Sequence, residues 1–365
     1  MRAARYHRVG EPFTVDVVAR PQIGPTDVLV RVEACGVVPN LRNVLENLPP
    51  DMAPLPLPAV YGLDAAGVVT EVGSAAIGTK VGDRVYVNPM RSCGSCRRCR
   101  AGRPQGCSYI ALNGYMGSGP DAAQMLKIHP SGGFAEYVAA PAASLVVLPD
   151  RISFETAARW GYLGTSYAAL RRASVSAGTT VLINGVSGTL GIGALVFALG
   201  LGASAVLGVG RNTKLLAKVR GLDPKRIHVH STSVDGPVTN RARELTSGEG
   251  FDVVIDALPK RGASAAFVAA RNALGRAGVH VNIGGVTSTV PVDVFSMVNN
   301  NQSMLGSFWF TTRQGQEMAD LVEAGSVELP PFEHRTFSLK QLDEAVVAAA
   351  KDSNGFTNFV VTPQQ

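Results

Sequence analysis

The stretch Thr179-Thr180-Val181-Leu182-Ile183-Asn184-Gly185-Val186-Ser187-Gly188-Thr189-Leu190-Gly191-Ile192-Gly193 constrains the fold of this chain more than any other. A β-branched apolar run stops at a cluster of glycines, and a long apolar, helix-like segment follows. Strand, tight turn and helix in that order point the free N–H groups of a helix N-terminus at an anion, and the glycines let a phosphate approach the backbone closely. Glycine-rich turns occur in many α/β proteins, so the context decides. Strand-like runs recur at 205–209, 227–231, 252–256 and 279–283, with helical stretches between several of them. That rhythm predicts an α/β fold with a doubly wound parallel sheet.

The end of the second strand selects the dinucleotide. An acid there accepts hydrogen bonds from ribose hydroxyls and favours NAD. This chain instead reads Gly208-Val209-Gly210-Arg211-Asn212-Thr213-Lys214, with no acid. Arg211 and Lys214 are placed to meet a 2′-phosphate, Arg211 through a bidentate fork. A solvated basic turn is the plainer alternative. The expected cofactor is NADP(H), held by Gly185, Ser187, Gly188, Thr189, Leu190, Gly210, Arg211, Asn212 and Lys214.

A length of 365 residues is long for one core and suggests two domains. With 46% hydrophobic and 17% charged residues the composition is that of a globular chain. A net charge of +6 is moderate at this size and does not call for nucleic acid. The first residues lead into no apolar h-region, so no signal peptide and a cytoplasmic location are expected. Residues 173–210 carry no charge, yet Asn184, Ser187 and many glycines interrupt them, so a buried nucleotide-binding unit is expected, not a membrane span.

Up to about residue 155 the chain shows short alternating strands, such as Val28-Leu29-Val30-Arg31-Val32-Glu33, which read as a β-barrel-like domain. Helical patterns at 314–324 and 340–351 and a last strand at 357–362 close the chain, and no internal repeat is found.

Cys93, Cys96, Cys99 and Cys107 are four of the five cysteines and fall within fifteen positions. Four thiolates close a tetrahedral shell around one zinc, which makes the site structural, and the neighbouring arginines favour the thiolate forms. Disulfide pairing fits poorly, because the spacing is crowded and nothing suggests secretion. A nucleic-acid zinc ribbon spaces its cysteine pairs further apart.

With these features in order, the chain resembles the medium-chain dehydrogenase/reductase superfamily, zinc-containing alcohol dehydrogenase type, over essentially its full length. The residues that carry the resemblance are Gly36-Val37, Gly62-Leu63-Asp64-Ala65-Ala66-Gly67, the cysteine lobe, Gly132-Gly133-Phe134-Ala135-Glu136-Tyr137, the glycine turn and Phe251-Asp252-Val253-Val254-Ile255-Asp256. The resemblance implies a GroES-like catalytic domain with the structural zinc lobe at 1–157. It also implies a Rossmann NADP-binding domain at 158–310 and a C-terminal segment, 311–365, that completes the catalytic domain. Thr165 is similar to the residue beside the nicotinamide, and Asn358 joins the implied cofactor contacts. Residues 290–310 match the region through which relatives pair their sheets, so a homodimer is expected.

The departures from the family pattern constrain the chemistry. Where relatives with catalytic zinc carry a cysteine and a histidine ligand, this chain has Val38 and Leu63, and no third ligand is available around Trp160-Gly161-Tyr162. Valine and leucine cannot coordinate a metal. Cys35 sits three positions early and reads as a buried small hydrophobe. Arg42 and Asn43 replace the usual proton-relay residues. Structural zinc is therefore expected to be kept and catalytic zinc lost.

Without a Lewis acid, hydride transfer needs an electrophilic acceptor or hydrogen-bond donors at the developing oxyanion. An α,β-unsaturated carbonyl suits this, with hydride added at the β-carbon, and Gly185, Gly188 and Gly191 match the glycine form common in zinc-free branches. The first expectation is an NADPH-dependent reductase of a small hydrophobic enone. Close behind stands a carbonyl reductase or alcohol dehydrogenase; a non-enzymatic protein that binds a cofactor or, through the basic lobe at 91–103, nucleic acid comes third. Candidate catalytic groups are Asn40 for the substrate oxygen, Asp64 as proton donor if burial raises its pKa, and Tyr162 as hydrogen-bond donor. For each, an ordinary satisfied polar residue is at least as good a reading. Trp160 and Phe310 read as pocket walls.

Overall fold

The structure is a computed structural model, and it describes residues 1–260 and 262–365. Six parallel strands form the sheet seeded by the glycine-turn segment. Across the sheet they run Ile227–Ser231, Ala205–Gly210, Thr180–Asn184, Phe251–Asp256, Leu274–Asn282 and Ser303–Gly306. Numbered along the chain this is the order 3-2-1-4-5-6 of a Rossmann sheet, and the strand order reverses between Thr180–Asn184 and Phe251–Asp256. Helices cover both faces, so Val181, Leu182 and Ile183 are all fully buried and the strand shows no polar alternation. Strand Leu274–Asn282 starts earlier than its sequence suggests. Its first half contains Gly275 and Gly278, and Ala277 adopts φ 58°, so no periodic pattern marks it.

The second large sheet belongs to the GroES-like part. Asp27–Gly36 is its hub, paired antiparallel with Asp64–Val72, Tyr137–Pro141 and Thr357–Val361. Val28, Val30 and Val32 alternate into one core. Thr357–Val361 brings the C-terminal segment back onto the N-terminal sheet, opposing Val360 to Gly36 and Val361 to Cys35.

Two helices join the halves. Trp160–Arg172 leads out of the GroES-like part, and Thr189–Gly200 follows the glycine turn. They pack closely because Gly193 leaves room for Ser166, whose Oγ donates to the Leu190 carbonyl at 2.7 Å. The cysteine lobe projects beside a small sheet of Met90–Arg91, Ala111–Leu112 and Met116–Gly117. Among the described residues, no helix is long and apolar enough to cross a membrane.

Candidate active site and dinucleotide cleft

The glycine turn sits at the carboxyl end of the central strand, at the topological switch point. Gly185 adopts φ +85°, a conformation that side chains disfavour, and it turns the chain against Ala257. Gly188 precedes the first turn of Thr189–Gly200 with no side-chain cap, which leaves the helix N–H groups for a ligand. Gly191 lies directly on Gly185 and Val186, where a Cβ would collide with backbone. Beneath the turn, Asn184 Nδ2 donates to Asp256 Oδ2 at 2.8 Å, and burial lifts the Asp256 carboxyl to about 6.

The second strand ends beside this turn, with Ser187 packed close to Gly210. Arg211 and Lys214 are exposed there, and neither makes an ion pair or side-chain hydrogen bond among the described residues. Asn212 is the N-cap of Thr213–Gly221, accepting from Leu215 N at 3.1 Å, so its side-chain oxygen is engaged.

A narrow cleft runs from the turn into the GroES-like part. Val38, Pro39, Asp64, Arg159, Tyr162, Thr189 and Asn358 are among the residues that line it. Asp64, 1% exposed, accepts a hydrogen bond from Tyr86 Oη at 2.7 Å. Burial dominates its titration and lifts the carboxyl to about 7, while the Tyr86 hydroxyl and the Gly161 N–H pull the other way. Asn40 Nδ2 donates to Tyr115 Oη at 3.4 Å. Burial raises the phenols of Tyr86, Tyr115 and Tyr162, and Asp64 adds to the rise for all three. Asp64 and Tyr162 line the cleft, and the buried phenols of Tyr86 and Tyr115 bond to Asp64 and Asn40.

Of the three expected catalytic residues, Asp64 and Tyr162 line this cleft, whereas Asn40 is exposed, does not line it, and bonds to Tyr115. Tyr86 and Tyr115 escaped the sequence reading. Tyr86 is the middle of three consecutive buried residues in strand Arg84–Val87, and nothing local distinguishes it from a core residue.

The positions of the family's catalytic metal ligands hold no donor. Val38 and Leu63 are buried apolar groups, and a side chain at Gly161 would strike the Asp64 carboxylate and the Trp309 ring. A catalytic zinc does not fit this residue set. Cys35 is fully buried, with its sulfur close to Gly133.

The pocket-wall reading of Trp160 and Phe310 needs correction. Both are fully buried: Trp160 Nε1 donates to the Gly315 carbonyl at 3.1 Å, and Phe310 packs over Gly164. Trp309 is the partly exposed aromatic beside Asp64, turned there by φ 53° and held by Nε1 donating to Asn88 Oδ1 at 3.0 Å. Thr165 donates to its own helix at the Gly161 carbonyl, 2.8 Å away. Asn358 Nδ2 donates to the Glu155 carbonyl, which ties that amide to the cleft wall.

In the lobe, the sulfurs of Cys93, Cys96, Cys99 and Cys107 all lie within 4.8 Å of one another. Cys93 and Cys107 Sγ are 3.6 Å apart, close to the ~3.8 Å edge of a tetrahedron with ~2.3 Å zinc–sulfur bonds. The N–H groups of Ser95 and Cys96 draw the Cys93 thiol down to about 6. This donor set fits zinc.

Residues 24–150 match the alcohol dehydrogenase GroES-like domain, and residues 189–324 match the zinc-binding dehydrogenase domain. The chain is 31% identical over 341 residues to an alcohol dehydrogenase of Geobacillus stearothermophilus, covering 92% of this chain and 94% of that one. It is 28% identical to an NAD-dependent alcohol dehydrogenase of Sulfurisphaera tokodaii over 95% of each chain. A solved Sinorhizobium meliloti structure bound to NADP superposes with a TM-score of 0.82 at 27% identity, over 99% of both chains. Two domain matches in chain order, a Rossmann sheet joined to a GroES-like barrel and a full-length relative lead to one conclusion: this chain is an oxidoreductase of the medium-chain dehydrogenase/reductase superfamily, zinc-containing alcohol dehydrogenase type.

Proposed function

We propose that this chain interconverts a small hydrophobic carbonyl compound and its alcohol, using NADP(H) and the Asp64–Tyr86 pair in place of a catalytic metal. The carrying observation is a buried, tyrosine-bonded acid beside metal-ligand positions that hold no donor. The dinucleotide supplies or accepts the hydride when bound. On reduction the carbonyl π electrons move to oxygen, Asn40 and Tyr162 offer hydrogen bonds to that oxygen, and the Asp64 carboxyl provides its proton. Asp64 then stands as carboxylate, stabilised by the Tyr86 hydroxyl, until solvent returns the proton.

Similarity to alcohol dehydrogenases favours this reading over alkene reduction. The enone reductase remains the second reading, favoured by the donor-free metal positions, because a conjugated alkene needs no Lewis acid at its carbonyl. The preference for NADP(H) rests on Arg211 and Lys214, with the remaining contacts from the glycine turn, Thr165 and Asn358. The domain limits 1–157, 158–310 and 311–365 and one structural zinc on the cysteine lobe belong to the same proposal. So does a homodimer, supported by the exposed apolar side chains Val294, Phe295 and Val298 beside the edge strand Ser303–Gly306.

Incubation with cinnamaldehyde and NADPH, and separately NADH, tests the reading by product analysis. Allylic alcohol supports carbonyl reduction, whereas saturated aldehyde moves the assignment to alkene reduction. Turnover with NADH alone overturns the roles of Arg211 and Lys214.

A further inference from the structure

Arg159 is 2% exposed and lines the narrow cleft beside Thr189, yet it pairs with no carboxylate among the described residues. Its Nη1 donates to the Thr357 carbonyl at 2.7 Å, and its Nη2 donates to those of Gly355 at 2.7 Å and Asn354 at 3.4 Å. The guanidinium lies 4.6 Å over the Phe332 ring, and its buried Nε has no partner. Carbonyl dipoles and an aromatic face soften the burial of a cation but do not cancel its charge. The acid on the same cleft, Asp64, is bonded to Tyr86 and holds its proton below about pH 7.

The loop that Arg159 grips lies on the glycine turn. Gly355 N donates to the Ser187 carbonyl at 2.8 Å, and Gly355 packs so tightly on Ile192 and Gly188 that no Cβ fits. Thr189, the first residue of the turn's helix, lines the cleft together with Arg159, Thr357 and Asn358. A buried cation and an uncapped helix N-terminus thus face one narrow space, and both call for an anion there.

We infer that Arg159 is a positioning residue for the dinucleotide: its buried charge is balanced by the cofactor's diphosphate, and its three carbonyl bonds hold the 354–357 loop over the glycine turn. This inference rests on the cofactor reading above. Lysine keeps the charge but cannot make the forked contacts, and methionine keeps only the bulk.

The test measures dissociation constants of NADPH, NADH and adenosine for the unmodified chain, R159K and R159M, with folding checked by circular dichroism. R159M is expected to weaken the preferred dinucleotide at least about tenfold, with R159K intermediate. Adenosine, which lacks phosphate, should change less than about twofold, and the salt dependence of dinucleotide binding should flatten. A merely structural role would lower the melting temperature and leave the ratio of dinucleotide to adenosine affinity in place. A folded R159M that binds dinucleotide within about twofold of the parent overturns the inference. If R159M does not fold, folded R159K decides by the same comparison, with a loss above about threefold expected. An unmodified chain that binds neither dinucleotide overturns the cofactor reading itself, and this inference with it.

Discussion

At the residue scale, a carboxyl kept from water holds its proton to higher pH than one in solvent, and Asp64 does so up to about 7. Its folded-state pKa is raised, so its contribution to stability is fully present below the unfolded value near 4 and is lost as pH rises to about 7. Relative to D64N, the parent should therefore lose stability across that window, by at most about 4 kcal/mol, as read from urea unfolding at several pH values. The same carboxyl gives reductive kcat an arm that falls above about pH 7. In D64N that arm should vanish and kcat should drop by about 10²-fold or more; an unchanged profile removes Asp64 from the chemistry. Tyr86 stabilises the carboxylate, so Y86F should move the arm to higher pH.

At the element scale, the glycine turn was legible because φ +85° at Gly185 and the close approach of Gly191 to the turn demand those residues. The cysteine lobe was legible because its ligands are close in sequence. C107S should abolish stoichiometric zinc in atomic absorption and lower the melting temperature by several degrees, since the sulfur is buried and closes the shell; retained zinc contradicts the four-sulfur site. Other features depend on contacts that no local pattern encodes. Tyr86 reaches Asp64 across 22 residues, and Tyr115 meets Asn40 across 75. In Phe308-Trp309-Phe310 the sequence cannot say which ring is buried and which lies beside Gly161 and Asp64, because the left-handed backbone at Trp309 decides it. Strand Leu274–Asn282 was half-hidden for a similar reason, its glycines erasing the period.

At the scale of the whole molecule, the two sheets are joined by a chain that leaves the GroES-like part, builds the Rossmann sheet and returns to pair with Asp27–Gly36. The alternation of strands and helices made that architecture readable. The proposed homodimer uses the far edge of the Rossmann sheet, where Phe295 is 74% and Val298 77% exposed on the helix before strand Ser303–Gly306. Sedimentation should report a dimer for the parent and a shift to monomer for F295D; a dimer unaffected by F295D places the interface elsewhere. Central to the proposed function is hydride transfer without a second metal. Counting zinc in active protein purified without added metal tests it most directly. One zinc per chain, with turnover that added zinc does not raise, is the expected result. Two per chain, with turnover lost when the second is removed and restored on its return, would contradict it.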